Sequence, residues 1–225
     1  MAAINASLLN FLNDLEKNNS RDWFEVNKTR YLKEEEGFKT FGNAILEDLE
    51  KIDHIEKMKV YRIYKDVRFG KDKTPFKTNR TIVYSREGAA LRGSYYLHIQ
   101  PGNNLIGGGF FAPNPADLLR IRKEFEMDAS EIREVLADKE FSEVFGNQFA
   151  PHNQVKTAPK GFSKDHPAND LIKNKSFFFE HKYTNEEIQS ADFSKTVVEH
   201  YKLLRPYLNL MSDVLTTDLN GESVL

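Results

Sequence analysis

Cysteine is absent from the 225 residues. Disulfides, thiolate zinc sites, iron–sulfur clusters and cysteine nucleophiles go with it. An excess of charge of one sign is also missing: 32 lysines and arginines stand against 34 aspartates and glutamates, a formal net charge of −2. That balance argues against a general binder of nucleic acid or membrane surfaces. No run approaches the ~18 apolar residues of a membrane span. The opening MAAINASLLNFLNDLEKNN has no basic start and no unbroken apolar stretch, so it does not read as a secretory signal. His54, His152, His181 and His200 show no ligand spacing such as H-E-x-x-H, and no metal is assigned. Neither a P-loop, a G-x-S-x-G elbow nor a dinucleotide fingerprint occurs, so the cofactor is unknown. The expectation is a soluble cytoplasmic protein of unknown oligomeric state.

What is present suits an ordinary globular core: 40% hydrophobic residues, with 29% charged. Leu8, Leu9, Phe11, Leu12 and Leu15 recur at helical spacing, and Ser20 is placed to cap a second helix with Asp22 in its first turn. Tyr31, Phe38, Phe41, Ile45, Leu49 and Ile52 form the stripe of a long helix. From Lys59 the period changes to two. Val60–Phe69, Arg80–Ser85, Ser94–Gln100 and Leu105–Phe111 read as strands, the last two joined through Pro101-Gly102-Asn103-Asn104 as a hairpin. Asn114-Pro115 opens a helix, and shorter helices are expected over Glu131–Leu136 and Lys139–Phe145. Residues 151–175 are irregular, and Ser176–Tyr183 is a buried strand. Thr184 and Glu187 match a capping box, and a last helix from Phe193 to Leu215 carries Pro206, which should kink it. Tight connections between strands favour an antiparallel sheet. The fold class is α+β: one domain over residues 1–215, helices at both ends of the chain packed on the sheet, and a frayed tail over 216–225.

Near-neutrality hides an asymmetry. Residues 57–86 hold ten bases and two acids, a local +8, so the rest of the chain sums to −10. A regular strand over Val60–Phe69 would align Arg62, Tyr64, Asp66 and Arg68 on one face. Tyr96, His98 and Gln100 would line the polar face of a neighbour. The loop from Gly70 to Asn79 adds Lys71, Lys73 and Lys77, a composition suited to phosphate or carboxylate, although a solvated hairpin tip has the same composition. Arg62, Arg68, Lys71, Lys73 and Lys77 are the candidate cation set, with Lys160 reaching in and Tyr64, Tyr96 and His98 orienting the ligand. Among them, Arg68 and Lys77 are the two whose truncation should abolish binding. His98 and Asp66 are the acid–base candidates if chemistry occurs. Asp165-His166-Pro167 reads as a turn held by an aspartate side chain. Gly107-Gly108-Gly109 marks a bulge or a close approach by a ligand or another backbone. Trp23 and Asn27 are expected to anchor their helix.

Three partners suit this pattern. The first is a small anionic ligand. The second is nucleic acid, with Tyr61, Tyr64, Phe69 and Phe76 as stacking surfaces. The third is an acidic protein docked on the basic loop without catalysis.

Several of these segments carry a resemblance. Arg21-Asp22-Trp23-Phe24 with Asn27-Lys28 and Tyr31, Tyr64 to Phe69, Lys71 to Asn79, Tyr95 to Ile99 with Pro101-Gly102, the glycine triplet, Ala158 to Phe162 and Asp165-His166-Pro167 together resemble the family called domain of unknown function 2461. The likeness spans about residues 5 to 210. Lys65, Gly70 and Phe76 stand where the family leads one to expect arginine, serine and tyrosine. A lysine at 65 cannot fork onto an anion as a guanidinium does. The resemblance implies a single bacterial-type cytoplasmic domain and supplies no catalytic residue.

Overall fold

The computed structural model describes residues 2–68, 70–151 and 153–225; Phe69 and His152 lie outside the described residues. Three helices open the chain: α1 (Ala6–Lys17), α2 (Arg21–Val26) and α3 (Lys28–Leu49). Asn5 caps α1 by accepting from Ser7 N–H, and Ser20 caps α2 by accepting from Trp23 N–H. The sheet follows as β1 (Ile55–Val60), β2 (Arg80–Arg86), β3 (Ser94–Ile99), β4 (Asn104–Phe110) and, much later, β5 (Phe177–Tyr183). Its order is β1-β2-β3-β4-β5 and its strands are antiparallel, so each strand pairs with its neighbours in chain order. Between β4 and β5 lie α4 (Pro115–Met127), α5 (Ser130–Ala137), α6 (Lys139–Phe145) and the short α7 (Asn169–Ile172). After β5, Thr184 and Glu187 exchange the two bonds of a capping box around a single 3₁₀ turn, Glu187–Gln189. α8 (Phe193–Thr216) runs through Pro206. Pro206 and Lys202, whose carbonyl loses its donor, are both exposed, so the missing bond faces water.

The α+β expectation holds, with helices flanking an antiparallel sheet. One strand was misplaced. Pairing occupies 55–60, and the described residues 61–68 and 70–79 form a long excursion in place of the expected strand over Val60–Phe69, whose last residue lies outside the described residues. The row of Arg62, Tyr64, Asp66 and Arg68 on one strand face therefore does not form. The excursion closes on itself instead. Lys65 N–H donates to Pro75 O, Lys77 N–H to Ile63 O, and Tyr64 bridges Phe76. Asp66, Asp72 and Thr74 bend the chain between these legs by bonding their own neighbourhood.

Contacts group the chain into two compact units. The first holds 1–84, 96–106 and 182–199. In it α3 lies directly against β2: a Cβ built on Gly42 would stand 2.5 Å from Ile82 Cδ1, and the Tyr84 hydroxyl donates to Gly42 O at 3.0 Å. Phe41 stacks on Phe193 at 5.6 Å. The second unit holds 85–95, 107–181 and 200–225. Its core is aromatic: Phe177 and Phe179 meet Phe125, Phe141, Phe149 and Tyr207. The glycine triplet serves that core. A Cβ on Gly107 would stand 2.2 Å from Phe179 O, so another backbone makes the close approach. Gly109 also has φ +127°, a region side chains avoid.

Candidate functional site

The basic excursion is held at both legs. Asn19, between α1 and α2, clamps Phe76 with two bonds, Nδ2 donating to its carbonyl at 3.0 Å and Oδ1 accepting from its N–H at 3.1 Å. Phe76 is buried and stacks on Phe24 at 4.0 Å, where a tyrosine hydroxyl would have no part in the stack. Tyr64 packs against both rings while remaining 46% exposed.

Inside the loop much of the charge is already used. Arg68 grips Asp66 through two parallel bonds, Nε at 2.9 Å and Nη2 at 2.6 Å. That guanidinium holds the Asp66 carboxyl below the usual carboxylate range, which makes Asp66 a poor proton acceptor. Lys65 donates to Asp72 and Thr74, both at 2.7 Å, and Lys73 donates to Val67 O. The lysine at 65 is thus a latch within the loop. Lys71 is exposed at its tip.

A second group of cations gathers where the legs meet the sheet. Arg80 opens β2 and is 1% exposed. Its Nη2 pairs with Glu35 Oε2 of α3 at 2.5 Å, and its guanidinium carbon sits 5.7 Å from the Phe38 ring. Arg80 Nε and Nη1 are buried without a hydrogen-bond partner among the described residues. Tyr31 stands one helical turn before Glu35 on α3. Burial first, and then Glu35 and Tyr64, push the Tyr31 phenol up to about 12, while Arg80 acts the other way. Lys77 lies beside this group. Burial lowers its ammonium pKa, and the positive charges of Arg80 and Arg62 lower it further. Its Nζ is 5.3 Å from the Tyr61 ring, which also carries Lys59 at 4.9 Å.

The remaining candidates stand apart from this group. Arg80 and Thr81 are successive strand residues and point to opposite faces of the sheet. Thr81 Oγ1 meets His98 Nδ1 at 3.3 Å, so His98 belongs to the face opposite Arg80. There Tyr96 also meets Nδ1 at 3.3 Å and Gln100 meets Nε2 at 3.2 Å. Desolvation lowers the His98 pKa, with Gln100 opposing it. Lys160 is exposed in the irregular segment of the second unit. His166, not Asp165, holds its turn: Nδ1 accepts from Ala168 N–H at 3.1 Å. Trp23 is half-buried against Phe11, and Asn27 Nδ2 closes α2 by donating to Trp23 O at 2.9 Å. Among the described residues no three His, Asp or Glu side chains are grouped to hold a metal ion, and no helix is long and apolar enough to cross a membrane.

Sequence reading missed Tyr31, Glu35 and Arg80 as site residues. Tyr31 passed for core and Glu35 for one of a run of solvated acids. A signal for Arg80 did exist: it shares its strand face with Ile82 and Tyr84, an arginine standing in register with core positions. A cleft of about 400 Å³ between the N-terminal segment and α3 carries Lys33 against Glu34 and Glu36, a balance unsuited to an anion.

The architecture is that of an α+β protein whose first unit concentrates cations around one buried arginine. The chain belongs to the family described as conserved hypothetical protein (DUF2461), whose model matches residues 7–209. No curated protein and no solved structure matches it.

Proposed function

We propose that the chain binds a small anion, phosphate-bearing or carboxylate, at the cluster of Arg62, Lys77 and Arg80. One observation carries the reading: Lys77 is half-buried where the positive charges of both Arg80 and Arg62 reach it, even though Arg80 is itself paired with Glu35. Like charges gathered in a partly desolvated place repel, and an anion entering among them relieves that repulsion. Arg62 and Lys77 supply the direct contacts, Arg80 supplies field from beneath, and the exposed Tyr64 hydroxyl donates to a ligand oxygen. Lys71 adds steering charge. Arg68, Lys65 and Lys73 leave the set because their donors are already engaged. Tyr96 and His98 occupy the opposite sheet face and have no part in this cluster.

Thermal unfolding with inorganic phosphate and with small carboxylates tests the reading. A ligand at 100 times its Kd stabilises by about 2.7 kcal/mol, a clear rise in Tm. The rise is expected in the native chain and in Arg68→Ala, and is expected to vanish in Arg62→Ala and Lys77→Ala. A rise lost in Arg68→Ala but kept in the other two would move the site to the loop tip. No rise with any anion would end the proposal.

A further inference from the structure

We infer that the cleft between the N-terminal segment and α3 binds a small organic cation, a primary ammonium carried on a short apolar body, with Glu34 as its counter-charge. The inference goes beyond the anion-binding reading, shares no residue with it and does not rest on it.

Glu34 occupies a position that the helix reserves for apolar side chains. Phe38, Phe41, Ile45 and Leu49 follow it at steps of 4, 3, 4 and 4, and all are buried, so Glu34 heads the inward stripe of α3. Folding does not turn it out into water. Glu34 is 7% exposed, whereas Lys33 and Glu36 are exposed. Its Oε2 accepts from Ser7 Oγ of α1 at 2.8 Å. The cations nearby are used elsewhere: Lys39 and Arg80 both turn to Glu35, and Arg30 turns to Asp14. Among the described residues no lysine or arginine pairs with Glu34. A carboxylate offers about four acceptor sites, and one hydroxyl fills one of them. Burying a charge is costly unless it is paired.

The cleft that Glu34 borders holds about 400 Å³, a size suited to a small molecule. Its inner wall is formed by Ile4, Leu8, Phe38 and Phe41, all buried. At the rim Lys33 and Glu36 offset one another, so the deep carboxylate sets the sign of the field inside. The wall opposite α3 is fixed by backbone bonds. Ile4 N–H donates to Ile188 O at 2.9 Å, Ala2 N–H donates to Ser194 Oγ at 2.9 Å, and Ser194 N–H donates to Ala2 O at 3.0 Å. One inner carboxylate among apolar side chains does not suit a bare divalent ion, which takes six or more oxygen ligands. An ammonium on a hydrocarbon body uses both parts of the lining. Its nitrogen donates to the remaining acceptor sites of Glu34, and its carbons lie against Leu8 and Phe41.

Thermal unfolding and amide NMR spectra of the full chain with n-butylammonium chloride test the inference. Controls at matched concentration are n-butanol, sodium butyrate and sodium chloride. The expected result is a saturable Tm rise with butylammonium alone, with amide shifts concentrated at Ile4, Ser7 and Gly37. Glu34→Gln keeps the size of the side chain and still accepts from Ser7. Its apparent Kd is expected to rise at least about tenfold. Gly37→Leu is an independent check, because Gly37 lines the cleft and a Cβ there meets nothing within 4 Å. The longer side chain has room to fill the mouth of the cleft, and the response is expected to fall. An equal response in Glu34→Gln, or an equal response to n-butanol, overturns the inference. So does the absence of a response in the native chain, or shifts scattered over surface acids. Circular dichroism of each variant establishes that it is folded. Should Glu34→Gln fail to fold, Gly37→Leu and the contrast between butylammonium and n-butanol decide the matter.

Discussion

Arg80 is the residue at which the fold carries its most deeply buried charge. Its pairing with Glu35 is buried, so removing one partner leaves the other as an uncompensated charge, a loss of about 3–5 kcal/mol. Arg80→Leu is expected to lower the free energy of unfolding, read from urea denaturation, by that amount. The double variant Glu35→Leu with Arg80→Leu should recover most of it, because two apolar side chains need no solvation. A double variant no more stable than the single one would show that Arg80 matters through packing on Phe38 rather than through charge. Lys77 has the opposite sign. Its folded pKa lies below the ordinary lysine value, so the folded state pays for holding its proton at neutral pH, and that cost disappears above the unfolded pKa of about 10.4. Lys77→Gln is therefore expected to melt above the native chain near pH 7, with the gap closing as pH approaches 10. A gap independent of pH would place the effect in packing.

At the scale of elements, the glycines show how differently one residue type is used. Gly37 lies on the exposed side of α3, and a Cβ there meets nothing within 4 Å. Gly37→Ala should stabilise by about 0.5–1 kcal/mol, through helix propensity alone. Gly107 lies where β4 meets β5, and a Cβ would stand 2.2 Å from the Phe179 carbonyl and 2.7 Å from the Phe178 ring. Gly107→Ala must move backbone, and a loss of at least about 1–3 kcal/mol is expected. Chemical denaturation of the two variants side by side checks both signs. The basic excursion is the other telling element. Its legs are fixed by Asn19 and by pairing of 63–65 with 75–77, and its tip is closed by Asp66, Asp72 and Thr74. At that tip Arg68 and Lys65 are held by Asp66 and Asp72, while Lys71 stays exposed.

Across the whole molecule the charge asymmetry of +8 against −10 survives folding only in part as a usable field. Glu35 of the acidic remainder is drawn against Arg80, and Arg86 turns inward to Ser212 and Asn209. Of the aromatics suited to stacking on bases, Phe76 is buried and the Tyr61 ring is flanked by two lysines. A single-stranded oligonucleotide is accordingly expected to show no binding by fluorescence anisotropy even at low salt. Tight binding that weakens steeply with salt would instead favour a nucleic-acid partner, since the slope counts the phosphates contacted.

Much of the fold was legible because it is written locally. Helix caps at Ser20, Asn114 and Thr184, the stripes of α1, α3 and α8, and the hairpin between β3 and β4 all depend on residues a few positions apart. The α+β class follows from them, and so does the concentration of positive charge in one segment. What sequence could not supply was pairing across distance. Alternation through Val60–Phe69 fits a strand equally well, but that stretch turns away because Asn19, far off in the chain, captures Phe76 and because Asp66 and Asp72 find nearby donors. Tyr31 and Glu35 share one turn of α3, but Arg80 lies 45 positions beyond Glu35, and nothing local marks that pair as neighbours. Whether a charged side chain meets water, a carboxylate or another cation is a question of three-dimensional proximity and burial, and folding alone decides it.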